Sequence, residues 1–102
     1  MVVHGIQFDH AQIAEVCRRR GVRRLATFGS LLREDFRPDS DIDVLVEFVE
    51  GRGGGAWFEE YIALKDDLEA LWGRRVDLVE RGNVHPLLKE YIERVAWVQY
   101  AA

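Results

Sequence analysis

The chain has 102 residues, 48% of them hydrophobic and 31% charged, and a formal net charge of −4. This length suits one domain, residues 1–102, with a modest core, and excludes a two-domain enzyme carrying its own large substrate-binding module. The composition argues against intrinsic disorder, and the acidity argues against a surface that grips nucleic acid through its phosphates. The lone cysteine, Cys17, has no partner for an internal disulfide or a cysteine-based zinc site, so a reducing, cytoplasmic setting is expected. The opening MVVHGIQFDH lacks the basic start and apolar run of a signal peptide. No stretch approaches the ~18–20 apolar residues of a membrane helix.

The first predicted element is a helix over 9–20. Asp9 is its cap, Gln12 completes a capping-box pattern, and Phe8 and Ile13 are placed for a hydrophobic staple. Ile13, Val16 and Cys17 form its apolar stripe, and Gly21 stands where a left-handed residue ends a helix. Strands are predicted at 22–28 and 42–48. In the second, Ile42, Val44, Val46 and Phe48 share one face, while Asp43, Leu45 and Glu47 take the other. An amphipathic helix is predicted over 57–72, ended by Gly73, and a third strand over 75–79. Pro86 opens a third helix running to about Ala96. The expected fold is α/β (α+β): a small mixed sheet with helices packed on one face and the other face left open.

The chemistry is concentrated in 28–48. Gly29-Ser30 breaks a strand, ten residues follow, and Asp41-Ile42-Asp43 then enters the next strand. Aspartates two residues apart on a strand point to the same face, with Cα atoms about 6.5–7 Å apart. Two carboxylates at that spacing suit a divalent cation. Oxygen-only ligands favour Mg²⁺, which fills its remaining positions with water and substrate phosphates. Gly29 lets a phosphate approach the backbone, Ser30 offers donors, and Arg33 can neutralise a leaving pyrophosphate. Asp77 is a third acid, set between Val76 and Leu78, which face the other way. Asp-x-Asp alone is often a turn or a cap, but Asp43 lies inside a strand, where aspartate is disfavoured.

FGSLLREDFRPDSDIDVLVEF resembles the signature of the nucleotidyltransferase superfamily related to DNA polymerase β, in its minimal nucleotidyltransferase branch. The pattern is Gly-Ser, about ten residues, Asp-x-Asp, and a third acid on a later strand. Gly29, Ser30, Asp41, Asp43 and Asp77 match it, over roughly residues 10–100. Leu32, Arg33 and Glu34 stand where relatives often have a small residue and then Arg-Gly, so Arg33 keeps its place and the glycine is lost.

The resemblance implies a polymerase β-like nucleotidyltransferase fold and transfer of AMP from ATP to an acceptor hydroxyl, with release of pyrophosphate. It implies two Mg²⁺ ions held by Asp41, Asp43 and Asp77, with Asp77 also helping to deprotonate the acceptor. It assigns Gly29 and Ser30 to the outer phosphates and Arg33 to their support. In this family the partner is a HEPN-domain RNase toxin, modified on tyrosine, and the nucleotidyltransferase is its antitoxin. Two other readings stand beside it: an antitoxin that neutralises by binding alone, and a nucleotidyltransferase acting on a small molecule. The complete acid triad separates the first of these, and the missing drug-binding domain the second.

Other features read more simply. Arg18, Arg19, Arg20, Arg23 and Arg24 suit the C-terminal turn of a helix better than a site for RNA, a triphosphate or an acidic partner surface. GRGGG at 51–55 lacks the Lys-Ser/Thr of a phosphate loop and reads as a connection, with a lid or partner contact as the lesser reading. Trp57, Trp97 and Tyr100 fall at element ends, balanced between core and interface. His4, His10 and His85 show no ligand spacing, and Cys17 reads as a small buried hydrophobe.

Overall fold

The computed structural model describes residues 1–49 and 57–102, with only the backbone of Trp57. The predicted GRGGG connection and the side chain of Trp57 therefore lie outside the described residues. A hairpin opens the chain: β1 (Val2–Val3) pairs antiparallel with β2 (Ile6–Gln7). Its two-residue turn has φ of 51° at His4 and 78° at Gly5, the doubly left-handed geometry that matches strand twist.

Helix α1 (His10–Arg19) follows, with Asp9 accepting from the N–H groups of Ala11 (2.9 Å) and Gln12 (3.2 Å). Gly21 turns the chain out with φ +69°. Then come β3 (Val22–Phe28), a 3₁₀ turn (Gly29–Leu32), β4 (Ile42–Phe48) and α2 (Trp57–Trp72). Strand β5 (Val76–Glu80), a second 3₁₀ turn (Arg81–Asn83), α3 (Pro86–Val95) and β6 (Trp97–Ala101) complete the chain. The predicted strand at 75–79 thus starts and ends one residue later.

The main sheet has the order β5-β4-β3-β6. The β4–β5 pair is parallel and the other two are antiparallel. Ile42, Val44 and Val46 of β4 lie in the principal core with Ile13 and Cys17 of α1 and Leu64 and Leu68 of α2, all fully buried. The fold class is as expected, but the opposite face is not left open. There Leu45 packs with Val84 and with Ile92 of α3, in a smaller cluster that α3 draws over the sheet.

The first hairpin and β6 add elements that periodicity did not mark. Strand β6 brings Trp97 and Tyr100 against the core, and Trp97 meets Phe8 at 5.1 Å between ring centroids. Packing, not an interface, takes these two aromatics. The basic cluster divides among carboxylates: Arg20 Nε donates to Asp67 at 2.7 Å, Arg19 lies 3.6 Å from the same group, and Arg23 lies 3.9 Å from Glu47. Among the described residues no helix is long and apolar enough to cross a membrane.

Candidate active site

The strand register sets the site. In the parallel β4–β5 ladder Asp43 stands directly opposite Asp77, and side chains so paired share a face. This is the sheet face away from Ile42 and Val44, because alternate strand residues point to opposite sides. Asp43 is half-buried and Asp77 exposed. Asp41 precedes β4 and is exposed, with its carboxylate 3.2 Å from Arg75 Nε.

The loop after β3 closes in on Asp43. Gly29 has φ +71°, and a Cβ built there would lie 2.2 Å from Asp43 Oδ2. The glycine thus does more than admit a phosphate: it leaves room for the carboxylate. Burial pushes the Asp43 carboxyl above its ordinary range, and Asp77 and Asp41 push the same way. The Ser30 backbone N–H, which faces that carboxylate, and the Arg33 charge pull it down without prevailing. Arg33 is exposed, and its Nε donates to Asp35 at 3.1 Å.

The structure thus brings Gly29, Ser30, Asp43 and Asp77 together, with Asp41 and Arg33 close enough to act on Asp43 and Asp41 also paired with Arg75. No three His, Cys, Asp or Glu side chains converge tightly enough for a metal site among the described residues. The donor set still fits a hard divalent cation. It is all oxygen, and two carboxylates stand side by side with their charge only partly offset.

Several supporting residues carry no signal in the sequence. Arg74 Nη2 donates to the carbonyls of Arg37 and Ser40, each at 2.7 Å, and its guanidinium lies 4.6 Å from the Phe36 ring centroid. It therefore pins the spacer between Gly-Ser and Asp-x-Asp. Glu69 of α2 accepts the Val76 N–H at 2.9 Å, which holds its carboxyl below the usual range. The Tyr61 hydroxyl donates to the Leu78 carbonyl. These two bonds fix β5 on either side of Asp77. In a linear pattern Arg74 and Glu69 look like ordinary polar surface and Tyr61 like one more residue of its helix's apolar stripe, and only the fold shows what they touch.

Comparison with known proteins gives the family. The nucleotidyltransferase domain family matches residues 10–96. The protein adenylyltransferase MntA of Thermococcus cleftensis is 38% identical over 85 residues, 82% of each chain. A solved structure described as a provisionally assigned minimal nucleotidyltransferase superposes with TM-score 0.72 at 39% identity, covering 85% of each chain. At the level of fold alone, a toxin–antitoxin crystal structure with AMP-PNP gives TM-score 0.67 at 17% identity, covering 92% of this chain and 74% of the other. A tri-AMPylated Shewanella oneidensis HEPN toxin in complex with its MNT antitoxin gives TM-score 0.57 at 19% identity, covering 91% and 70%. The chain belongs to the nucleotidyltransferase domain family, as a minimal nucleotidyltransferase akin to the protein adenylyltransferases.

Proposed function

We propose that this nucleotidyltransferase moves AMP from ATP to a tyrosine hydroxyl of a HEPN-type RNase toxin, in the cytoplasm, and so acts as its antitoxin. The observation that carries the reading is the register that sets Asp43 against Asp77 beside the Gly29-Ser30 loop. Similarity to MntA, and to antitoxins solved with AMP-PNP or with an AMPylated toxin, supports the donor and the acceptor.

The acceptor oxygen attacks the α-phosphorus. The new O–P bond forms as the α–β bridging P–O bond breaks, pyrophosphate leaves, and the hydroxyl proton passes to Asp77. Gly29 and the Ser30 hydroxyl hold the outer phosphates, and Arg33 offsets charge growing on the leaving group. Asp41, Asp43 and Asp77 would hold Mg²⁺, which supplies charge neutralisation at the reacting phosphate. Asp41 must first release Arg75.

The test uses tagged wild-type chain and an Asp41→Asn/Asp43→Asn variant, each expressed in the native host, with intact mass taken of the copurifying protein. A HEPN-type partner carrying AMP-sized additions only with the wild type is expected. A partner bound equally by both and never modified would replace transfer with neutralisation by contact.

A further inference from the structure

A groove with a cavity volume of about 510 Å³ opens between the loop after β3 and α3. The loop after β3 supplies Gly29, Leu32 and Arg33, α3 supplies Leu88, Tyr91 and Val95, and Phe28 and Ile92 join them. Leu88 is 53% and Tyr91 55% exposed, large for apolar and aromatic side chains gathered along one helix, and Leu32 and Val95 are exposed beside them. The volume is that of a small-molecule site, and the lining is the usual one: apolar and aromatic surface with few polar groups. It also shares Gly29 and Arg33 with the candidate phosphate site. A nucleoside triphosphate whose outer phosphates lie on that loop has its base and ribose to place on neighbouring surface; a second pocket also touches Leu32 and Arg33, but this groove is the one of the two that reaches Gly29.

We propose that the groove holds the purine base and ribose of the nucleoside triphosphate, with Tyr91 as the stacking face and Leu32, Leu88 and Val95 as apolar walls. This rests on the reading that Gly29 and Ser30 hold the outer phosphates. It adds a rule of selectivity. Among the described residues the lining has only two polar side chains, the Arg33 guanidinium and the Tyr91 hydroxyl, and no amide or carboxylate to read a base edge. Stacking tolerates any base with a π-face and strengthens with ring area. The site therefore prefers purines to pyrimidines and separates adenine from guanine weakly.

The experiment is calorimetric titration of the full chain, with Mg²⁺, using an ATP analogue whose α–β bridge cannot be cleaved, its GTP and CTP counterparts, and inorganic tripolyphosphate, which has no base. In Tyr91→Ala, affinity for the ATP analogue should fall about tenfold or more, while tripolyphosphate binds as to wild type. Tyr91→Phe should restore the affinity. Wild type should bind the GTP analogue within a few-fold of the ATP analogue and the CTP analogue more weakly. Unchanged affinity of Tyr91→Ala for the ATP analogue would overturn the assignment and leave the groove as a polypeptide-docking surface. An equal loss for tripolyphosphate would overturn it too, since Tyr91 would then act through the phosphate loop. Strong preference for ATP over GTP would overturn the selectivity rule. Base-dependent binding without AMP transfer to any protein would defeat the proposed function and leave the groove assignment standing.

Discussion

Gly29 and Asp43 occupy one another's space: the volume a Cβ would take at Gly29 is filled by Oδ2 of Asp43, 2.2 Å away, and the glycine's φ is +71°. A side chain there meets two penalties at once. The left-handed backbone costs about 1–2 kcal/mol, and the carboxylate must swing aside. Because the obstacle is the end of a flexible side chain, the fold survives and the site does not. Gly29→Ala should lose about 1–2 kcal/mol in urea unfolding and at least about 100-fold in AMP transfer, measured as pyrophosphate release. A stability loss with transfer intact would separate this carboxylate from the chemistry.

Asp43 is held above its ordinary carboxyl range by burial, reinforced by Asp77 and Asp41. A raised folded-state value means the native chain takes up the proton more readily than the unfolded chain. The protonated form favours folding below the unfolded value, near pH 4, and that gain is lost as pH rises through the folded value. At neutral pH the ionised group costs stability. Asp43→Asn should therefore raise Tm at pH 7 by about 2–5 °C while abolishing transfer. The gain should shrink as pH falls through the raised folded value. Wild-type transfer should fail in that same window, as Asp43 takes its proton. A variant less stable than wild type at pH 7 would contradict this.

Arg75 competes for Asp41. With its Nε 3.2 Å from the Asp41 carboxylate, the guanidinium occupies the place of a cation. Arg75→Gln should lower the Mg²⁺ concentration for half-maximal transfer several-fold, read from a metal titration of initial rates. An unchanged titration curve would mean that Asp41 never gives up this ion pair, or never meets the metal.

Glu69 is a positioning residue. It takes the Val76 N–H next to Asp77 and also lies 3.4 Å from Lys65 Nζ. Glu69→Ala leaves that backbone donor without its carboxylate and should cost about 1 kcal/mol. It should lower kcat while the affinity for a non-cleavable ATP analogue holds, because β5 carries Asp77 rather than the phosphate loop. Equal losses in both would make the role a general structural one.

Arg20 offers the contrasting control. Its bond to Asp67 joins α1 to α2 on the face away from the acids. Arg20→Ala should cost about 0.5 kcal/mol and leave transfer unchanged. A fall in transfer would return the basic cluster to the functional surface.

Some of this molecule can be read directly along the chain. Strands β3 and β4 and helix α2 have the predicted bounds, because their hydrophobic periods are long and glycine or a loop closes each end. The acids were legible because Asp43 breaks the apolar pattern of its strand. The initial hairpin was not, since two-residue strands have no period and its signal is the His4-Gly5 turn alone. Strand β6 was hidden by a register shift against β3 and by aromatics that suit a surface as well as a core. Arg74, Arg75, Glu69 and Tyr61 act over long range, through backbone carbonyls, an N–H and one ion pair. The three charged ones have the identity of common solvent-facing residues and Tyr61 that of an apolar-stripe residue, so no local pattern marks any of them as a tether.

Strand β5 is the margin of the sheet, and such margins invite a foreign strand to pair. Ile42 draws on the Arg75 carbonyl, so the alternate residues Val76 and Leu78 aim their backbone groups outward. Helix α2 meets them with the Glu69 carboxylate and the Tyr61 hydroxyl. At the Val76 N–H and the Leu78 carbonyl, on either side of Asp77, this margin is already taken by the chain's own side chains. Asp77 can thus stand at the rim, open to an arriving hydroxyl, without the strand beneath it becoming a template for aggregation.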